Sequence, residues 1–142
     1  MSIRSMFGTD AKTEREGVWL DFGEFKVRAA RAGGANKKYQ RTLEEIGRPH
    51  RRAMQLDLMD NDLAIDILRQ VYARSVITGW QTKINDEFVD GIDDGDGGVK
   101  PMSEENILAI FRELPDLFDS IQADASSIAL YRSSLREEAS GN

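Results

Sequence analysis

The sequence predicts a mainly α-helical fold: a single small helical domain with an N-terminal β-hairpin packed on it. Apolar residues recur at the spacing of amphipathic helices over much of residues 36–136, and apolar and polar residues alternate over residues 17–30. The length of 142 residues is typical of one domain. We therefore predict one domain over residues 17–136, between a flexible N-terminus (1–16) and a flexible C-terminus (137–142).

The predicted hairpin turns at Gly23-Glu24. Alternation on both sides of a two-residue Gly-X loop is typical of a hairpin with a type II′ turn, in which glycine supplies the positive φ. The alternating apolar positions are Val18, Leu20 and Phe22 before the turn and Phe25, Val27 and Ala29 after it. An isolated hairpin is marginally stable in water, so we expect its apolar side to pack against the helices.

The helical part of the domain follows Gly33-Gly34, which we interpret as a hinge between hairpin and helix. A first helix is predicted over residues 36–46, because its apolar residues follow helical spacing and Gly47 ends it. A second helix begins near His50. It either continues past residue 60 or gives way there to a newly capped helix, and the sequence leaves both alternatives open.

Residues 61–78 predict the central helix of the core, ending at Gly79. Apolar residues cover most of its circumference, which indicates a helix that neighbouring elements surround. Residues 85–99 are rich in glycine and aspartate and predict a long flexible loop. Ser103 then suits the N-cap of another helix, and Pro115 suits the first position of the next one.

The chain carries no recognisable catalytic or metal-binding pattern, so we predict that it is not an enzyme and needs no cofactor. It has no cysteine, and its one histidine, His50, has no sequence motif to supply a nucleophile or fellow ligands. The acidic loop fails as an EF-hand: with Gly95 at position six, Ile92 falls at position three and Pro101 at position twelve. No stretch approaches the roughly 18 apolar residues of a membrane helix.

Charge is divided unevenly along the chain. Residues 1–56 hold 12 Lys/Arg against 7 Asp/Glu, and residues 57–142 hold 7 against 18. An acidic protein with a net charge of −6 is a poor candidate for nonspecific nucleic-acid binding. A basic half and an acidic half favour self-association or steering of a charged protein partner, unless the two halves simply mix in the fold.

Seven residues are candidates for contact with a protein partner. Large aromatic and cationic side chains are enriched at the energetic centres of interfaces, although at helix or strand spacing they are mostly part of the core. Trp19 lies opposite the apolar side of the hairpin, and Trp80 follows the predicted end of the central helix. The candidate partner-binding residues are Trp19, Arg28, Arg31, Lys37, Lys38, Trp80 and Phe118.

Several segments together resemble the tail assembly chaperones of long-tailed bacteriophages, the group functionally like the lambda G protein. The run EREGVWLDFGEFKVRAARAGGANKKY (residues 14–39) is similar to the N-terminal signature of that family. VYARSVITGW (71–80) resembles its central helix, and LPDLFDSI (114–121) and the ending Gly141-Asn142 follow in the same order. No single piece is a chemical motif, so the resemblance rests on order and span.

The resemblance implies a mostly helical protein that acts during tail morphogenesis. Such a protein coats the tape measure protein, recruits tail-tube subunits, works in the host cell cytoplasm and is absent from the mature virion. It also implies a longer, frameshifted form, which many members of that family have. Two other functions remain open: a head–tail connector or tail-completion protein of the virion, and a small nucleic-acid-binding regulator acting through Arg48, Arg51 and Arg52.

Overall fold

The computed structural model describes residues 2–132. The helices are α1 (Ile3–Phe7), α2 (Ala11–Glu16), α3 (Lys37–Gly47), α4 (Arg51–Gln55), α5 (Asn61–Ser75), α6 (Glu104–Glu113) and α7 (Pro115–Ala125), with 3-10 turns at Arg48–His50 and Ile128–Tyr131. The strands are β1 (Val18–Asp21), β2 (Phe25–Ala29), β3 (Ile77–Ile84), β4 (Glu87–Asp90), β5 (Ile92–Asp93) and β6 (Val99–Lys100). The predicted flexible C-terminus (137–142) and the end of the predicted domain lie outside the described residues.

Strands β1 to β4 form one antiparallel sheet in the order β1-β2-β3-β4, and β5 pairs with β6 in a separate ribbon. The fold is therefore a mixture of helices and sheet, and the prediction of a mainly α-helical domain with a single hairpin is wrong. The hairpin of β1 and β2 is present, with Gly23 at a φ of 91° in its turn. It forms only half of the sheet, since β2 also pairs with β3.

The central strand β3 occupies residues that we predicted as the end of the central helix and its exit. Helix α5 ends at Ser75, before the predicted end at residue 78, and Ile77–Ile84 then pair with β2. Four of these eight residues are β-branched and Trp80 is aromatic, and both types favour a strand. The amide of Ala30 donates to the carbonyl of Val76 at 2.7 Å, so strand pairing replaces the helical hydrogen bonds from this point.

The predicted flexible loop at 85–99 instead contains β4, β5 and β6. A two-residue turn, Asn85-Asp86, joins β3 to β4, and both residues have positive φ (51° and 64°). Positive φ at both central positions is the requirement of a type I′ hairpin turn, which asparagine and aspartate tolerate. These two turn residues do not include the glycine that usually marks a hairpin, and the strands that follow are short. The sequence pattern therefore indicated a loop.

The core lies between one face of the sheet and helices α5, α6 and α7. Leu20, Val27 and Trp80 occupy neighbouring positions in β1, β2 and β3 and are buried on this inner face. The ring of Phe111 lies 6.4 Å from that of Trp80 and 5.1 Å from that of Phe118, all measured between centroids. Burying each large aromatic side chain removes much apolar area from water, so this cluster is a principal stabilising element.

Three helix starts use side-chain caps or proline as their sequences suggest. Asp60 accepts from the amide of Asp62, which caps α5 and shows that a new helix begins here. Ser103 Oγ accepts from the amide of Asn106 at 3.1 Å, as predicted, and Pro115 stands at the start of α7. Each cap satisfies a backbone donor that has no partner within the helix.

The N-terminal residues described by the structure include two short helices. Helix α2 is packed on the domain, since its Thr13 and Glu14 are buried, although residues 1–16 were predicted to be flexible. Helix α1 has no buried residue. Within residues 2–132, no helix is both long enough and apolar enough to cross a membrane.

Candidate partner-binding face

One face of the four-stranded sheet packs on the helices, and the opposite face is exposed or half-buried. Side chains of directly paired residues lie on the same face of an antiparallel sheet. We call this second surface the outer face, defined by Trp19, Asp21, Lys26, Arg28, Gln81, Lys83, Phe88 and Asp90. An antiparallel sheet commonly presents one solvated face, but two aromatic rings and three cations make this one unusual.

Trp19 lies at one end of the outer face, on the edge strand β1. It pairs with Arg28, which pairs in turn with Gly79, so the three residues form a row across β1, β2 and β3. The indole covers Gly79: a Cβ built there would lie 2.8 Å from Cη2 of Trp19. The side chain of Trp19 is nonetheless 40% exposed, which leaves a large aromatic surface available for contact.

Arg28 is fixed beside the indole by hydrogen bonds to a bulge in β3. Its Nε donates to Thr78 Oγ1 at 3.0 Å, and its Nη2 donates to the carbonyl of Thr78 at 2.7 Å. Thr78 is the extra residue where the register shifts between Arg28 and Ala29, and its hydroxyl also donates to the carbonyl of Glu16. The guanidinium carbon lies 5.3 Å from the centre of the Trp19 ring, a cation–π distance.

The other end of the outer face carries residues that sequence reasoning missed. Lys26 Nζ lies 4.2 Å from the centre of the Phe88 ring, and Lys83 Nζ lies 5.6 Å from it. Lys83 pairs directly with Phe88 across β3 and β4. The missed signal was the alternation on either side of Asn85-Asp86, which places Lys83 and Phe88 on the same face once the stretch is recognised as a hairpin.

A notch of about 450 Å³ opens beside Trp19 at this sheet surface. Two glycines, Gly79 and Gly91, contribute no side chain to it, and Met102 forms part of its apolar lining. Arg28 and Asp90 place one cationic and one anionic group at its wall. A concavity of this size accommodates one or two side chains of a partner, which is the usual way that an interface gains specificity beside an aromatic anchor.

Arg31 is engaged within the domain. Its Nη1 donates to Glu14 Oε2 at 2.8 Å, and the same carboxylate accepts from Thr9 Oγ1 at 2.8 Å and from the amide of Ala35 at 3.4 Å. Burial raises the pKa of Glu14, but these hydrogen bonds outweigh it and hold the pKa below its ordinary value of 4.5. Arg31 therefore ties α2 to the end of the hairpin.

Gly34 lies against this buried carboxylate. It has a φ of 53°, and a Cβ at that position would collide with Glu14 Oε2, whereas a Cβ on Gly33 would meet no atom. Gly34 thus allows a close approach to the ion pair in addition to its place in the predicted turn between hairpin and helix. Lys37 and Lys38 follow in the first turn of α3, where both side chains are exposed.

Trp80 and Phe118 are core residues, which corrects their prediction as partner contacts. Trp80 is 4% exposed and Phe118 is 1% exposed, so neither presents a ring to a partner in this fold. Trp80 is buried because β3 continues past Gly79 and turns its indole inward beside Val27. The predicted set therefore divides into Trp19 and Arg28 on the outer face, Lys37 and Lys38 on α3, the paired Arg31, and two core aromatics.

The acidic loop is organised by its own backbone. Asp94 Oδ1 accepts from the amides of Asp96 at 2.8 Å and Gly98 at 3.0 Å, and these hydrogen bonds hold the pKa of Asp94 below its usual value. The carboxylate of Asp94 therefore stabilises a turn within the loop. Within residues 2–132, no group of three or more His, Cys, Asp or Glu side chains is arranged to hold a metal ion.

The fold and this surface define a small two-layer α/β protein whose sheet has one covered and one open face. The chain matches the family described as YdaY prophage protein over residues 34–142 and belongs to that phage-derived family. This confirms a phage origin, which is the coarser part of the predicted resemblance. No curated protein and no solved structure matches the chain significantly.

Proposed function

We propose that this chain is a phage tail assembly chaperone that holds the tape measure protein on its outer face and recruits tail-tube subunits. Membership of a prophage family and the order of the tail-chaperone-like segments support the proposal. The observation that carries it is the open sheet face, where Trp19 and Phe88 stand among three cations. Exposed aromatic residues beside arginine are typical of protein-binding surfaces.

A helix is the partner element that best fits this surface. A sheet face is covered most readily by a helix laid across its strands, as happens on the inner face of the same sheet. The apolar stripe of an amphipathic helix would contact Trp19 and Phe88, and an apolar side chain would enter the notch beside Gly79. Acidic residues flanking that stripe would meet Lys26, Arg28 and Lys83, which fixes the orientation of the helix.

We expect a single copy of the chain to bind the tape measure protein weakly. Binding of many copies along the same partner supplies the remaining affinity. The outer face is defined by eight residues, whereas each partner in a stable complex contributes about 20–30 residues to the interface. A long helical protein offers many equivalent stretches, so many copies of the chaperone bind side by side and weak contacts suffice to cover it. Such a complex dissociates readily when tail-tube subunits replace the chaperone.

Co-expression with the tape measure protein encoded in the same prophage tests the proposal. With the wild-type chain, we expect the tape measure protein to remain in the supernatant after centrifugation and to be captured with the tagged chain. The double variant Trp19→Ser/Phe88→Ser removes both aromatic surfaces and should lose capture. Leu114→Ser is the matched control, because Leu114 is 46% exposed and lies at the junction of α6 and α7, outside the outer face.

Two outcomes contradict the proposal. If the wild-type chain neither solubilises nor captures the tape measure protein, the chaperone function is excluded. Equal capture by the wild-type chain and by the double variant, with loss in Leu114→Ser, moves the binding site away from the outer face. Mass spectrometry of purified mature particles adds an independent check, since a chaperone is absent from them and a connector or tail-completion protein is present.

A further inference from the structure

A second exposed surface lies between α3 and α5, on the segment of residues 48–58. We call it the arginine–leucine surface, defined by Arg48, Arg51, Arg52, Met54, Leu56 and Leu58. It shares no residue with the outer face. The segment contains a 3-10 turn and the short helix α4, and none of its side chains is buried.

The basic side of this surface has cations without ion-pair partners. Arg48, Arg51 and Arg52 are exposed, and none of them makes a salt bridge with another residue in the described range 2–132. They line an open concavity of about 530 Å³ together with Pro49, Gln55 and Leu56. By contrast, Arg31, Arg74 and Arg112 elsewhere in the fold are each paired with a carboxylate.

The apolar side of the surface is displayed to solvent. Met54 is 45% exposed, Leu56 is 55% exposed and Leu58 is 73% exposed. Three large exposed apolar side chains thus fall within five residues of the chain, whereas isolated exposed leucines are ordinary. Their position next to three arginines gives one surface with both a hydrophobic and a strongly cationic component.

The backbone of the segment holds the leucines outward. Helix α4 ends in a Schellman-type arrangement: the amide of Leu58 donates to the carbonyl of Ala53 at 2.8 Å, and that of Asp57 donates to Met54 at 3.2 Å. Asp57 takes the left-handed conformation, with a φ of 54°, in a position that usually belongs to glycine. In such a motif the residue after the turn commonly packs back on the helix, whereas Leu58 is 73% exposed.

We infer that the arginine–leucine surface binds an acidic amphipathic segment of a protein partner. The arginines would pair with Asp or Glu side chains through two parallel hydrogen bonds, a geometry that lysine does not offer. Leu56 and Leu58 would insert between the apolar side chains of the segment. A helix with leucines and glutamates on one face provides both kinds of contact at matching spacing.

The local charge favours an acidic peptide over a nucleic acid or a membrane. Asp57, Asp60 and Asp62 are exposed and lie close to the two leucines along the chain, and they would repel a continuous phosphate backbone or an anionic lipid surface. An acidic peptide avoids this repulsion, because its carboxylates are placed only where the arginines are. The segment has no Phe, Tyr or Trp to provide a platform for stacking bases.

Binding of a synthetic peptide to the full chain tests the inference. The probe is a fluorescein-labelled helical peptide of about 18 residues, with leucines at i, i+3, i+4 and i+7 and glutamates beside them. We expect fluorescence anisotropy to report binding that weakens as salt increases. Arg51→Glu/Arg52→Glu should raise the Kd at least about tenfold, and Leu58→Ser should raise it several-fold. Circular dichroism melts verify that these exposed substitutions leave the fold intact.

Matched controls separate this surface from general charge effects. Lys37→Glu/Lys38→Glu makes the same charge change on the exposed start of α3 and should leave the Kd unchanged. The same peptide with lysine in place of glutamate should not bind. Because the outer face is itself proposed to bind an acidic amphipathic helix, the titrations are repeated in the Trp19→Ser/Phe88→Ser background, where the peptide should still bind and Arg51→Glu/Arg52→Glu should still weaken it at least about tenfold.

Four results overturn the inference. The first is no binding of the glutamate peptide at about 1 mM chain. The second is equal binding by wild type and by Arg51→Glu/Arg52→Glu. The third is that a single-stranded oligonucleotide, or vesicles containing phosphatidylserine, bind through Arg51 and Arg52 more tightly than the peptide. The fourth is sedimentation showing that these arginines only hold copies of the chain together.

Discussion

The indole of Trp19 on β1 covers Gly79, which lies two strands away on β3 in the same row of the sheet. A Cβ at position 79 would lie 2.8 Å from Cη2 of Trp19, and the ring also receives the guanidinium of Arg28. Packing of an aromatic ring over a strand glycine offsets the stability that glycine costs a strand. The pair therefore stabilises the central strand and at the same time presents an aromatic surface to solvent.

Substitution of Gly79 by alanine should destabilise the protein, because the new methyl group displaces the indole. We expect the free energy of unfolding to fall by about 1–3 kcal/mol in urea denaturation. In the double variant Gly79→Ala/Trp19→Phe, the smaller ring should accept the methyl group, so the loss should be smaller than the sum of the two single losses. Additive losses would show that the ring does not pack on Gly79.

The two tryptophans should respond to truncation in different ways. Trp80→Ala removes a ring from the core and should lower the free energy of unfolding by about 3–5 kcal/mol. Trp19→Ala removes a half-exposed ring and should cost about 1 kcal/mol while abolishing capture of the partner. Similar losses of stability for both variants, measured by urea denaturation, would contradict the assignment of Trp80 to the core and Trp19 to the surface.

The buried pair of Glu14 and Arg31 should make stability depend on pH. Because the pKa of Glu14 is lower in the folded than in the unfolded chain, the pair stabilises the fold above the ordinary value of 4.5, and this contribution is lost as the pH falls through the folded pKa. Glu14→Gln should lower stability at pH 7 by about 1–3 kcal/mol and flatten the decline below pH 4.5. An unchanged decline in this variant would assign the acid sensitivity to other carboxylates, such as Asp66, whose pKa is lowered by a hydrogen bond from Arg112.

The turn between β3 and β4 gives a direct test of the strands in the acidic region. Asp86→Gly should raise the free energy of unfolding by about 0.5–1 kcal/mol, because glycine adopts the required positive φ without steric cost. Asp86→Val should lower it, since a β-branched side chain resists this conformation. If residues 85–99 formed a flexible loop, neither substitution would change the urea midpoint.

Local signals in the sequence predicted some parts of the fold well. The turn at Gly23-Glu24, the N-cap at Ser103 and the helix start at Pro115 depend on the chemistry of one or two residues, and all three are present. The helix from Asn61 was also recognisable, because its apolar residues repeat over four turns. These features do not require knowledge of distant partners.

The rest of the sheet depended on contacts between distant residues. By spacing alone, Val76 and Ile77 fit a helix as well as a strand. They belong to the sheet because they pair with Ala30 and Ala29. For the same reason the inward direction of Trp80 followed only from its register with Val27. The ion pair of Glu14 and Arg31 spans 17 residues, and its only local signal was the glycine at position 34 that lies against it.

Oxidative footprinting of the complex with the tape measure protein tests the central claim most directly. Hydroxyl radicals oxidise exposed indoles, and the chain contains one tryptophan that is 40% exposed and one that is 4% exposed. If the outer face holds the partner, the oxidation rate of Trp19 should fall severalfold in the complex, whereas Trp80 should remain slow with and without the partner. An unchanged oxidation rate of Trp19 in a fully formed complex would contradict binding at this face.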